Sequence, residues 1–85
     1  MSDQHLDLVI VVSGVPRPVR INLHVRLEQA VRDVLRDSGN SGQPPEDFEL
    51  RTENGQMLSL ATRAGDAGLV NGQTLFLNPR AGAGG

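Results

Sequence analysis

The sequence predicts an α+β domain, one mixed β-sheet packed on a single helix, and three stretches of chain predict it. Leu6 to Ser13 is a β-branched apolar run too short for a helix. Val19 to Val25 alternates apolar and polar residues without a break. From Leu27 the apolar spacing turns helical, with Leu27, Ala30, Val31, Val34 and Leu35 on one side. A chain of 85 residues holds one domain at most. A domain of this size buries only about 60% of its unfolded surface, so its stability rests on one regular core.

In chain order, Leu6 to Ser13 is too apolar for an exposed strand and is expected at the centre of the sheet. Gly14-Val15-Pro16-Arg17-Pro18 follows, and its two prolines are expected to interrupt the ladder and turn the chain. In the next strand Val19, Ile21, Leu23 and Val25 share one face while Arg20, Asn22 and His24 share the other. This half-buried strand pairs with the first as a hairpin. On the helix, Glu28, Arg32, Asp33 and Arg36 take the polar side, and Glu28 precedes Arg32 by one turn. Gly39 is a natural stop, and the stretch to Pro45 has no periodic signal. The helix start carries no Ser, Thr, Asp or Asn immediately before Leu27 to cap it.

Phe48 to Thr52 is a short alternating strand, Asn54-Gly55 reads as a two-residue hairpin turn, and Met57 to Leu60 is its return strand. Ala61 to Gly68 crosses the surface with room for one helical turn. Asn71-Gly72 then turns the chain into the last strand, Thr74 to Leu77, which Pro79 stops. One packing is economical: the Val19, Ile21 and Leu23 face, with Leu50, Leu75 and Leu77, covers the Ala30, Val31 and Val34 stripe. Helix and loops separate the first hairpin from the last strand, so that strand can lie parallel beside the first in the middle of the sheet. This is the β-grasp arrangement. Residues 6–77 form the domain, with a flexible N-terminus at 1–5 and a flexible tail at 78–85.

Charge and composition act by exclusion. The 10 acidic and 8 basic side chains give a net charge of -2, and all the basic ones are arginine, so the chain has no lysine. Without a basic cluster, and with no Trp or Tyr to stack bases, nucleic acid is not expected as a partner. The absence of cysteine removes disulfides, thiolate metal sites and thiol nucleophiles, which fits a reducing compartment. The longest apolar run, Leu8 to Val12, is far short of a membrane span, and the start lacks a basic export region, so a cytoplasmic location without membrane contact is expected. His5 and His24 have no companions at ligand spacing, and no metal is expected. Ser13, Ser38, Ser41 and Ser59 lack a nucleophile context, and no Lys-Ser/Thr follows Gly39 to Gly42 to make a phosphate loop. No catalytic constellation is present and the chain is not expected to be an enzyme.

Several segments together resemble ubiquitin and its relatives: Val11-Val12-Ser13-Gly14 before an alternating strand, the Leu27 helix, Pro44-Pro45-Glu46-Asp47, Asn71-Gly72-Gln73-Thr74-Leu75-Phe76-Leu77, and Gly84-Gly85. The likeness covers roughly residues 6–85. Phe48-Glu49-Leu50-Arg51, with the ending Ala81-Gly82-Ala83-Gly84-Gly85, is similar to bacterial ubiquitin-like modifiers encoded beside activating-enzyme, conjugating-enzyme and deubiquitinase-like genes. The resemblance implies a protein modifier. Its Gly85 carboxylate would be adenylated by an activating enzyme, which uses the ATP, then passed as a thioester to a conjugating enzyme and joined to a protein target. No cofactor would be bound by the chain itself, and a deubiquitinase-like protease would be a further partner. Side chains at Gly84 or Gly85 would obstruct the channel and the nucleophile, and Gly82 keeps the approach open. With the last strands in register, Arg80 matches an arginine that ubiquitin's activating enzyme reads, although the tail beyond is one residue longer here.

Ubiquitin also has an exposed apolar patch on its sheet, and there this chain departs, with Arg51 at the outward position of the third strand. Phe76, between inward Leu75 and Leu77, should face solvent, either as an interface anchor or packed against the tail or strand edge. Arg80, Gly82, Phe76 and Arg51 are thus the candidate recognition residues for the activating enzyme. Two other functions use the same fold: a sulfur carrier like those of thiamin and molybdopterin synthesis, with a terminal thiocarboxylate, or an adaptor whose tail is not conjugated. If the chain is a modifier, the missing lysines matter, because arginine stays protonated and cannot serve as the amine nucleophile. Side-chain amide polymers on this chain are excluded, leaving the N-terminal amine, or a hydroxyl if esters are made.

Overall fold

The computed structural model describes residues 4–40 and 42–80, so the expected conjugation terminus at Gly84 and Gly85, together with Gly82, lies outside the described residues. Five strands form one sheet: β1 (His5–Val12), β2 (Val15–Asn22), β3 (Phe48–Thr52), β4 (Met57–Leu58) and β5 (Gln73–Pro79), with one helix, α1 (Leu27–Asp37). Single 3₁₀ turns at Pro45–Asp47 and Ala64–Asp66 occupy the connections. The strand order is β2-β1-β5-β3-β4, with β1 and β5 parallel at the centre. This is the ubiquitin-like β-grasp fold expected from the sequence.

Period-two patterning explains the sheet's two faces. Leu6, Leu8, Ile10 and Val12 of β1, Leu75 and Leu77 of β5, and Phe48 and Leu50 of β3 are buried, and their odd-and-even neighbours point outward. The helix closes this inner face with the residues its periodicity selects: Leu27, Ala30, Val31, Val34 and Leu35 are all at most 1% exposed. No charged residue enters this core among the described residues.

Both helix ends are satisfied, by different means. At the C-terminus Gly39 takes φ +84°, where a side chain would be strained, the Asn40 N–H donates to Leu35 C=O at 2.7 Å, and the Gly39 N–H donates to Arg36 C=O at 3.2 Å. This pair of bonds is a Schellman motif. At the N-terminus Arg26 offers no side-chain cap. The loop before the second 3₁₀ turn supplies the acceptors instead, Thr62 C=O for the Leu27 N–H at 2.9 Å and Leu60 C=O for the Glu28 N–H at 3.0 Å.

Three local expectations need correction. The prolines do not break the second strand: β2 begins at Val15 and contains Pro16 and Pro18, and Ser13-Gly14, both at positive φ, form the whole hairpin turn. The reason lies in the register. The Leu23 N–H donates to Gln4 C=O at 2.8 Å, so odd-numbered residues of this segment bond toward β1 and even-numbered ones, Pro16 and Pro18 included, face the free edge. The same strand ends at Asn22 rather than Val25, because the Asn22 side chain accepts the His24 N–H at 2.8 Å and its carbonyl accepts the Val25 N–H at 3.1 Å, bending the chain. The β3–β4 turn is longer than two residues. The Thr52 N–H donates to Gln56 C=O and Gly55 takes φ +87°, which makes a three-residue turn ending in a left-handed glycine and shortens the return strand to Met57–Leu58.

Candidate interaction surface and tail root

The outer face of the sheet carries a row of side chains that crosses every strand. Pro16 pairs with Val11, Val11 with Phe76, Phe76 with Arg51, and Arg51 with Met57. Paired residues on neighbouring strands share a face, so these five form one band, β2 to β4. Phe76 is 36% exposed and Met57 51% exposed, so the aromatic side chain faces outward, as its position between Leu75 and Leu77 requires. Arg51 interrupts the apolar band, and its fork is occupied: Nη1 donates to Gly55 C=O at 2.9 Å and Nη2 to Glu49 Oε1 at 3.2 Å. The guanidinium therefore belongs to the β3–β4 hairpin, and Arg51 stands in register between Phe76 and Met57.

Arg80 ends the described chain beyond β5. Its N–H donates to Asp47 C=O at 2.7 Å, which fixes the root of the tail to the 3₁₀ turn before β3. Its side chain is exposed and lines a groove of about 470 Å³ together with Arg26, Glu46, Phe48, Met57 and Leu60. The structure thus brings Arg51 and Phe76 into direct register and places Arg80 at a second, adjoining feature. Met57 joins the two, ending the band and lining the groove. Sequence reasoning passed over Met57, although its outward direction follows once Leu58 is assigned to the core side. Among the described residues no three His, Asp or Glu side chains come together as a metal site, and no helix is long and apolar enough to cross a membrane.

Known structures share this architecture. A designed protein based on ubiquitin superposes with a TM-score of 0.79 at 22% identity, covering 99% of both chains. The ubiquitin of Caldiarchaeum subterraneum matches at 0.73 and 20% identity over 95% of this chain and 99% of that one. The C-terminal ubiquitin-like domain of the human 2'-5'-oligoadenylate synthetase-like protein matches at 0.76 and 19% identity over 99% of this chain and 93% of its own. At these identities the likeness is one of fold. In sequence, the chain is 34% identical over 80 residues to an uncharacterized protein, y4jI, of Sinorhizobium fredii; the match covers 94% of this chain and spans 62% of that relative's length. A family model matches residues 1–85 throughout, and the chain accordingly belongs to the family described as "Protein of Unknown function (DUF2604)".

Proposed function

We propose that this protein is a ubiquitin-like modifier in a bacterial ubiquitination-like pathway, a substrate of its enzymes and not an enzyme itself. One observation carries the reading. A ubiquitin-like sheet delivers its central strand to Arg80, which is pinned by Asp47, and the sequence beyond Arg80 is Ala81-Gly82-Ala83-Gly84-Gly85. Such a tail can thread a narrow channel because none of its residues has a side chain beyond a methyl.

In the first step a Gly85 carboxylate oxygen attacks the α-phosphorus of ATP in the activating enzyme, forming an acyl-adenylate and releasing pyrophosphate. A cysteine thiolate of the enzyme then attacks the acyl carbon and expels AMP, giving a thioester. Transfer to a conjugating-enzyme thiol and attack by an acceptor amine on a protein target, with loss of the thiol, complete the reaction, and a deubiquitinase-like protease would reverse it. Arg80, Phe76 and Arg51 serve as recognition residues for the activating enzyme, Gly82 and Gly84 as the unobstructed approach. All of this chemistry belongs to a cytoplasmic setting in which ATP is bound by the partner.

Removal of Gly85 tests the reading: with the cognate activating enzyme and ATP, pyrophosphate release and thioester formation should both disappear. Undiminished activity overturns it. Intact mass measured on protein from the native host separates the competing functions, since a modifier gives a protein adduct, a sulfur carrier exchanges one terminal oxygen for sulfur, and an adaptor shows neither.

A further inference from the structure

Arg26, at the start of α1, and Arg63, just before the second 3₁₀ turn, meet across an isolated antiparallel bridge. The bonds flanking the bridge, Leu27 N–H to Thr62 C=O and Ala64 N–H to Val25 C=O, both at 2.9 Å, make this the non-hydrogen-bonded kind of pair. In such pairs the Cα atoms lie about 4.5 Å apart and the side chains leave on the same side. Two exposed guanidinium groups therefore rise from neighbouring points.

No described carboxylate comes within ion-pair distance of either. Arg20, Arg32, Arg36 and Arg51 each have a carboxylate within 4 Å, whereas neither Arg26 nor Arg63 has one. Glu28, the acidic residue of the first helical turn, is engaged by Arg32 at 3.5 Å. Like charges directly opposite on paired segments oppose folding, and a cation at the positive end of a helix opposes it again. A position that works against the fold in two ways is a position expected to have another use.

We propose that Arg26 and Arg63 form a docking site for an acidic segment of a protein partner, whose carboxylates enter between the two guanidinium forks. The Leu27 and Glu28 N–H groups already donate to Thr62 and Leu60, so the donors left for a ligand are the two planar side-chain forks, each able to grip a carboxylate with two parallel bonds. Two cations on a chain of net charge -2 give little of the counterion release that nucleic acid binding needs. Arg26 also borders the groove lined by Leu58 and Leu60, which offers apolar contact to one side of the pair, with Glu28, Glu46 and Glu49 on the same lining. The site adjoins the groove that Arg80 also lines, and it takes no part in the tail chemistry.

A short capped peptide alternating aspartate and leucine, titrated into the labelled full-length chain by ¹H–¹⁵N NMR, is the direct test. Saturable shifts should centre on the amides of Arg26, Leu27, Arg63 and Ala64 and weaken with added salt. The double variant Arg26→Gln/Arg63→Gln should bind about tenfold or more weaker, while melting at or above the wild-type temperature at low ionic strength. No saturable shift, equal binding by an asparagine–leucine peptide, by inorganic phosphate or by an oligothymidylate, or undiminished binding by the double variant would overturn the proposal. So would a double variant that melts lower, since that would make the arginines supports of the fold.

Discussion

Phe76 of β5 lies directly opposite Arg51 of β3 on the outer side of the sheet, and the Arg51 guanidinium is held within its own hairpin by Glu49 and Gly55. Phe76 keeps 36% of its surface exposed on a sheet whose other side is closed by the helix. Truncating Phe76 removes contact area from a partly exposed cross-strand pair, not from the core. Phe76→Ala should cost about 0.5–1 kcal/mol of stability, read by urea denaturation, while lowering affinity for the cognate activating enzyme. Equal affinity with an intact fold would remove Phe76 from the recognition surface.

Leu75 is the inward neighbour and is completely buried beside Ile10 and Thr52 on the two adjoining strands. Leu75→Ala should cost about 2–5 kcal/mol, a large share of the roughly 5–15 kcal/mol that holds a domain together. Denaturation midpoints of Leu75→Ala and Phe76→Ala should therefore differ widely, although the residues are adjacent in sequence.

Gly65 has a packing reason for lacking a side chain. A Cβ there would stand 3.1 Å from the Leu23 carbonyl oxygen and 3.3 Å from Leu23 Cβ, while the Gly65 N–H donates to that same carbonyl at 2.9 Å. The bond prevents the two segments from separating to make room. Gly65→Ala is expected to destabilise by about 1–3 kcal/mol, and a thermal melt unchanged from wild type would show that the contact relaxes freely.

Pro16 and Pro18 sit where β2 presents its outer hydrogen-bonding positions, and they remove two donors from that edge. Restoring them with Pro16→Val/Pro18→Val should leave the β1–β2 ladder intact and create an edge able to pair with a second copy. Light scattering over a concentration series should show the variant self-associating more than the wild type; identical behaviour would mean that the edge is protected by something else.

Much of this fold is legible because it is local. The inward set of β1, the helical stripe from Leu27 to Leu35 and the Gly39 stop each follow from a period or a steric requirement contained in a few consecutive residues. The outward direction of Phe76 follows in the same way, from the alternation around it. Two failures turned on near neighbours, the Asn22 bend and the three-residue turn at Gly55, whereas in the remaining cases the deciding partner was distant in sequence. Pro16 and Pro18 look like breakers until the strand is known to be an edge with those residues facing away from β1, and the uncapped helix start is supplied by carbonyls of residues 60 and 62.

By itself, then, the sequence determined which residues enter the core, the order of the elements and the chemistry available to the chain: no lysine, no cysteine, and a succession of small residues after Arg80. Tertiary structure alone decided who stands beside whom. The register that sets Arg51 against Phe76 and Met57, the bond that ties Arg80 to Asp47, and the bridge that brings Arg26 to Arg63 are all long-range relations. Periodicity fixes the face on which a side chain lies. Its neighbour across the gap is fixed by the closure of loops and the pairing of strands, which no local pattern encodes.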